Sequence, residues 1–137
     1  MKVSFDFDGT LEQADVQEYA KELIKKGIEV WVVTTRWDEN HKHKYTWNPT
    51  IDDLWEVVDR LGIPRWNVHF TCMEYKNKYL EGTKFVWHLD DNEKEFKEAR
   101  KNILCDVPMI DVFDNDWQNQ CNELITKKEN DETSSLS

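Results

Sequence analysis

Apolar positions along this chain keep switching between two rhythms. Val3 and Phe5 alternate with polar neighbours, which predicts a short strand. Val16, Tyr19, Ala20, Leu23 and Ile24 then recur at i, i+3, i+4, i+7 and i+8, which predicts an amphipathic helix over Asp15 to Lys26. Asp15 is a candidate N-cap and Gly27 a candidate stop. Ile28 to Val33 is rich in β-branched residues and predicts a buried strand. Strand, helix and strand within about thirty residues make a βαβ unit, with parallel strands and a right-handed crossover.

The same alternation continues. Thr50 reads as the N-cap of a second helix with Asp53 as its capping acid, Leu54, Trp55, Val58 and Leu61 as its apolar face, and Gly62 and Pro64 at its end. Trp66 to Thr71 predicts a third strand, Glu74 to Leu80 a short helix, and Lys84 to Leu89 a fourth strand. Glu93 to Asn102 predicts a helix with Phe96, Ala99 and Ile103 inward. Val107 to Val112 predicts a fifth strand, and Asp116 to Lys127 a helix facing inward with Trp117, Cys121, Leu124 and Ile125. The expected fold class is α/β: a single Rossmann-like domain over residues 1–127, with about five mostly parallel strands and helices on both faces. Residues 128–137 read as a polar, flexible tail.

At 137 residues the chain suits one core, and its formal charge is −10. So acidic a surface opposes non-specific nucleic-acid binding, which works by neutralising phosphates. No long apolar run or signal peptide is visible, so no membrane role is expected. The three cysteines, Cys72, Cys105 and Cys121, are an odd number without metal-ligand spacing, which points to a reducing, cytoplasmic setting.

The chemistry concentrates at strand ends. Asp6 and Asp8 stand at i and i+2 after the first strand, so both acids project past its carboxyl end, and Gly9-Thr10 turns the chain. In an open α/β sheet ligands bind there. Two such acids can hold Mg²⁺, or divide the roles of nucleophile and proton carrier. The fourth strand ends in Asp90-Asp91, a pair of adjacent acids that a cation would relieve. The second strand ends in Thr34-Thr35-Arg36, a hydroxyl and a guanidinium suited to an anion.

The stretch from Val3 to Leu11, with Asp6-Phe7-Asp8-Gly9-Thr10-Leu11 at its end, resembles the opening motif of the haloacid dehalogenase superfamily of phosphohydrolases. Thr34 and Arg36 look like its second motif, and the Asp90-Asp91 pair looks like its fourth. The third motif is one lysine upstream of that pair, for which Lys76 suits better than Lys78. The resemblance implies a Mg²⁺-dependent phosphatase that hydrolyses a phosphate monoester through an aspartyl-phosphate. In it Asp6 is the nucleophile and Asp8 the acid and base. Thr34 and Lys76 hold the transferring oxygens, Arg36 contacts phosphate or substrate, and Asp6, Asp8 through its backbone carbonyl, and the pair Asp90 and Asp91 surround the metal. Which of Asp90 and Asp91 touches it directly stays open.

Family members differ in a cap inserted after the first motif or between the second and third. Here the first interval is nearly empty, and the second holds a helix, a strand and a loop of about a dozen residues, so a capless member is expected. Such members take substrates that cover the site themselves, such as phosphoproteins or nucleic-acid ends, or close it by oligomerising. The loop from Trp37 to Pro49 carries Trp37, His41, His43, Lys44, Tyr45 and Trp47. Its aromatic and cationic groups favour nucleotides or nucleic-acid ends as substrates, with His41 and His43 read as solvated loop residues. A capless phosphoprotein phosphatase, or a binding module of the same fold without turnover, is the alternative. A response-regulator receiver also gathers acids at strand ends, but its acid pair follows strand one and a lone phosphoacceptor follows strand three.

Overall fold

A computed structural model describes residues 1–40 and 50–136. The first strand, β1 (Lys2–Phe5), sends Val3 and Phe5 to one face and Ser4 to the other. A single turn over Phe7–Leu11 leads into α1 (Ala14–Lys25), so no domain is inserted there. The helix starts one residue before Asp15, after Gln13, and its end is the one the sequence predicts. Gly27 takes φ +82°, its N–H bonds Ile24 O, and Ile28 N–H bonds Leu23 O, a left-handed stop that satisfies the last carbonyls.

β2 (Glu29–Thr34), α2 (Asp52–Leu61) and β3 (Val68–Phe70) follow. Thr50 Oγ1 accepts from Asp52 N, the bond a Thr50 cap makes, although α2 itself begins one residue later than that cap predicts, and the Asp53 side chain bonds Arg36. Pro64 leads into a 3₁₀ turn over Arg65–Asn67, which delays β3 relative to the predicted Trp66 start.

After α3 (Asn77–Leu80), Gly82 and Lys84 both have positive φ, so the fourth strand forms regular pairing only at β4 (His88–Asp90). Then come α4 (Glu93–Lys101), β5 (Met109–Asp111) and α5 (Trp117–Leu136). Ile103 is not inward: it is 95% exposed. Asn102 is extended and binds Asn77 and Glu81 with its side-chain amide, which ends α4 and swings the next residue outward. Conversely, α5 runs past the predicted end at Lys127, because Lys127 to Thr133 contains no glycine or proline to stop it.

The five strands form one parallel sheet in the order β3-β2-β1-β4-β5. The chain therefore has an α/β Rossmann-like fold. One face packs Val3, Phe5, Val30, Val32, Trp87 and Leu89 against residues of α1, α2 and α5. Trp87 is fully buried, meets Phe5 edge-on at 5.2 Å and donates Nε1–H to Cys121 O on α5. The other face has a smaller apolar cluster of Val33, Leu80, Phe85 and Val107. Beside it, between β1 and β4, lies a stripe of polar side chains.

Candidate functional site

That stripe follows from strand periodicity. Residues two apart on a strand share a face, so Ser4 with Asp6 and His88 with Asp90 lie opposite the apolar Val3, Phe5, Trp87 and Leu89. Ser4 is paired in register with His88, and Asp6 N–H bonds Leu89 O. The stripe thus carries two carboxylates to the carboxyl edge of the sheet, where a cavity of about 370 Å³ is lined by Asp6, Asp8, Thr35, Lys76, Asp90 and Asp91, among others. A larger cavity, about 580 Å³, lies between α4 and β5, but its charged residues Glu93, Arg100, Asp111 and Asp114 are not buried. Desolvated charge, not volume, marks the smaller one.

Lys76 sits at the centre of the smaller cavity. It is 2% exposed, with Nζ 2.7 Å from Asp6 Oδ1 and 2.6 Å from Asp90 Oδ2. The loop after β3 delivers it. Thr71, Cys72 and Met73 donate their N–H groups to the carbonyls of Thr34, Arg36 and Thr35, and Cys72 and Met73 take left-handed φ of 56° and 70° to do so. The buried Glu95 of α4 accepts the Lys76 N–H at 2.9 Å. Lys78, the other lysine considered, is exposed and lies outside this cavity.

Asp90 is fully enclosed by donors. Oδ2 accepts from Lys76 Nζ and from His88 Nε2 at 2.7 Å, and Oδ1 accepts from the N–H groups of Asp91 and Asn92. Burial opposes its ionisation, yet the His88 hydrogen bond and the Lys76 charge prevail and hold its carboxyl below the usual range. Asp6 responds the other way: burial, with repulsion from Asp90, outweighs Lys76 and raises its carboxyl well above the usual range. Asp91 is likewise raised, first by its own burial. Lys76 is raised too, because the two carboxylates overcome the burial that disfavours its charge. Lys76 thus bonds two of the three acids, and the crowding of negative charge is felt at Asp6 and Asp91, whose neutral forms it favours.

Asp8 does not turn toward this trio. Arg36 grips its carboxylate at 2.6 and 2.9 Å and grips Asp53 at 2.7 and 2.9 Å, while its guanidinium lies 5.0 Å from the Phe7 ring centroid. The metal-compatible group is therefore Asp6, Asp90 and Asp91, whose oxygens lie within 4.8 Å of one another, while the side chain of Asp8, the residue whose backbone carbonyl the resemblance assigns to the metal, is held by Arg36. Thr34 also departs from its expected place. It is fully buried with Oγ1 accepting from Arg36 N at 3.3 Å, and it is Thr35 that lines the cavity.

Gly9 closes the approach. It has φ +76°, and a Cβ there would overlap the Asp91 carboxylate. Gly9→Ala is therefore expected to displace Asp91 and to lower any turnover at this site at least tenfold, a barrier higher by about 1.4 kcal/mol or more. Steady-state kinetics with circular dichroism as the folding control would check it.

Sequence reasoning missed Ser4, His88 and Glu95, although the i, i+2 spacing of polar residues in β1 and β4 was the available signal. His41, His43, Lys44, Tyr45 and Trp47 lie outside the described residues. Among the described residues, no helix is long and apolar enough to cross a membrane. No protein-family model, curated protein or solved structure matches the chain.

Proposed function

We propose that this chain is a phosphate-monoester hydrolase of the haloacid dehalogenase type, working through an aspartyl-phosphate on Asp6. The observation that carries the reading is the buried Lys76 ammonium held jointly by Asp6 and Asp90 at the carboxyl end of a parallel sheet. A buried cation against one oxygen of a carboxylate fixes that group's orientation and leaves its other oxygen for chemistry. Asp6 Oδ2 accepts a long contact, 3.4 Å, from Thr10 Oγ1, and the Asp91 carboxyl lies beside the Asp6 carboxyl.

The Asp6 oxygen would attack phosphorus as the ester oxygen leaves. Asp8, at the cavity wall, would give that leaving oxygen a proton. Asp8 would then take a proton from the water that attacks phosphorus and frees Asp6. Lys76 would meet the charge on the transferring oxygens, with Thr35 beside it at the end of β2 and Thr34 supporting the turn behind. Arg36 is the further cation suited to phosphate, and it would exchange part of its grip on Asp8 for the substrate.

The donor set suits a hard divalent cation such as Mg²⁺: all the converging atoms are carboxylate oxygens, and their charge exceeds what Lys76 neutralises. Asp6 and Asp91 would hold it, with Asp90 behind them because its oxygens already accept four hydrogen bonds. A bound Mg²⁺ supplies charge neutralisation between an anionic nucleophile and an anionic ester. The expected result is hydrolysis of p-nitrophenyl phosphate that EDTA abolishes and Mg²⁺ restores. Absence of metal-dependent turnover, with the protein folded, would leave the binding-module reading. Nucleotides or nucleic-acid ends are the proposed substrates, given the aromatic and cationic composition of residues 37–49.

A further inference from the structure

His88 has no task in the chemistry proposed above, yet it lies fully buried directly beneath the site. Its two ring nitrogens are both engaged. Nε2 is 2.7 Å from Asp90 Oδ2 and Nδ1 is 2.7 Å from Ser4 Oγ. An ionised carboxylate only accepts, so Nε2 carries the hydrogen toward Asp90, and Nδ1 is left to accept the Ser4 hydroxyl. Asp90 therefore fixes the tautomer, and Ser4 completes it by donating its hydroxyl to Nδ1. On the other face of the same two strands the corresponding places are filled by Phe5 and Leu89, so a buried polar pair is not what packing alone calls for.

The contacts continue without a gap. Ser4 leads to His88, His88 to Asp90, Asp90 to Lys76, and Lys76 to Asp6, every step between 2.6 and 2.7 Å. The path leaves β1 at Ser4 and returns to its end at Asp6. We propose that His88, held on its far side by the Ser4 hydroxyl, is a positioning residue for the nucleophile. By filling one acceptor place on Asp90 Oδ2, it keeps Asp90 as a fixed anchor for the Lys76 ammonium, and so keeps that ammonium on Asp6 Oδ1. Without it the buried Asp90 carboxylate lacks a donor and draws Lys76 toward itself. A displacement of this kind disorders the attacking oxygen even though no reacting group has been removed. The inference rests on the hydrolase reading of this site.

The test uses the full chain and p-nitrophenyl phosphate carrying labelled phosphorus, acid-quenched during the first turnover. Wild type is compared with His88→Leu, His88→Gln and Ser4→Ala. Two quantities are read: the fraction of chains that take label, and the rate at which they take it. His88→Leu should keep the full fraction and lose about 10–100-fold in rate, as expected for a lost hydrogen bond to a charged group. Glutamine, whose amide N–H can reach Oδ2, should recover most of that rate, and Ser4→Ala should lose less than His88→Leu. KM should change less than about threefold, because the groups that bind phosphate remain.

A purely structural His88 gives a different pattern, namely fewer labelled chains reacting at the wild-type rate, or glutamine no better than leucine. Either result overturns the inference while leaving the hydrolase reading intact, as does a His88→Leu chain that labels normally. A wild-type chain that takes no label removes both together.

Discussion

Replacing Asp6 with asparagine is expected to abolish turnover while the protein stays folded. The amide matches the carboxylate in shape but is no nucleophile toward phosphorus. Residual activity should fall below about one-thousandth of wild type, a barrier increase of roughly 4 kcal/mol. Folding should survive because the crowding of negative charge is felt at Asp6: burial and Asp90 hold its carboxyl well above the usual range. In metal-free protein the folded state therefore keeps a proton on Asp6 that the unfolded chain has lost. That contribution to stability is full below the ordinary aspartate value of 3.8 and disappears as pH rises through the raised one. Asp6→Asn should flatten this decline. Asp90 acts oppositely, since its lowered carboxyl adds stability that is lost only in strong acid. Urea unfolding at several pH values in EDTA checks the slope, and turnover above one-tenth of wild type would remove Asp6 as nucleophile.

Lys76→Met is expected to have the largest effect on stability. It leaves Asp6, 8% exposed at the side chain, and Asp90, fully buried, without their shared cation. Breaking a buried ion pair from one side typically costs about 3–5 kcal/mol. Mg²⁺ should return part of that loss, since positive charge is what the pocket then lacks. Denaturant unfolding with and without Mg²⁺ measures both. A loss under about 1 kcal/mol would contradict the buried ion pair.

Much of this arrangement was legible from residue order alone. The two rhythms of apolar residues gave away the alternation of strands and helices, because buried parallel strands and amphipathic helices leave different periods. Asp6, Asp90 and Asp91 were found because acids placed just after apolar runs must emerge at strand ends. Lys76 was separable from Lys78 because four residues on from it, Leu80 is buried, which turns both toward the domain.

The misses have a common cause in side-chain partners that are distant in sequence. Nothing near Asp8 announces that Arg36, 28 residues away, will hold it, or that Asp53 will share the same guanidinium instead of capping α2. Thr34 and Thr35 are chemically alike, and strand alternation puts Thr34 on the face of Val30 and Val32 and leaves Thr35, on the parity of Val33, to line the cavity. Ile103 looked inward because the helical period carries on through it, whereas Asn102 finds better partners on α3 and its flank and stops the helix. His88 was overlooked inside an apolar run, where its polarity only makes sense once Ser4 lies beside it.

The lengths of the strands have a consequence for how this molecule behaves in a crowded solution. The six-residue β2 and four-residue β1 lie inside the sheet, while the outer strands β3 and β5 have three residues each. A foreign strand seeking to extend the sheet therefore finds only a brief ladder of free backbone groups on either flank. Ile103, Leu104 and Phe113, though exposed, border that short flank rather than a long flat one. Together with mutual repulsion between chains of charge −10, this makes stacking into fibrils a poor competitor of the dispersed protein.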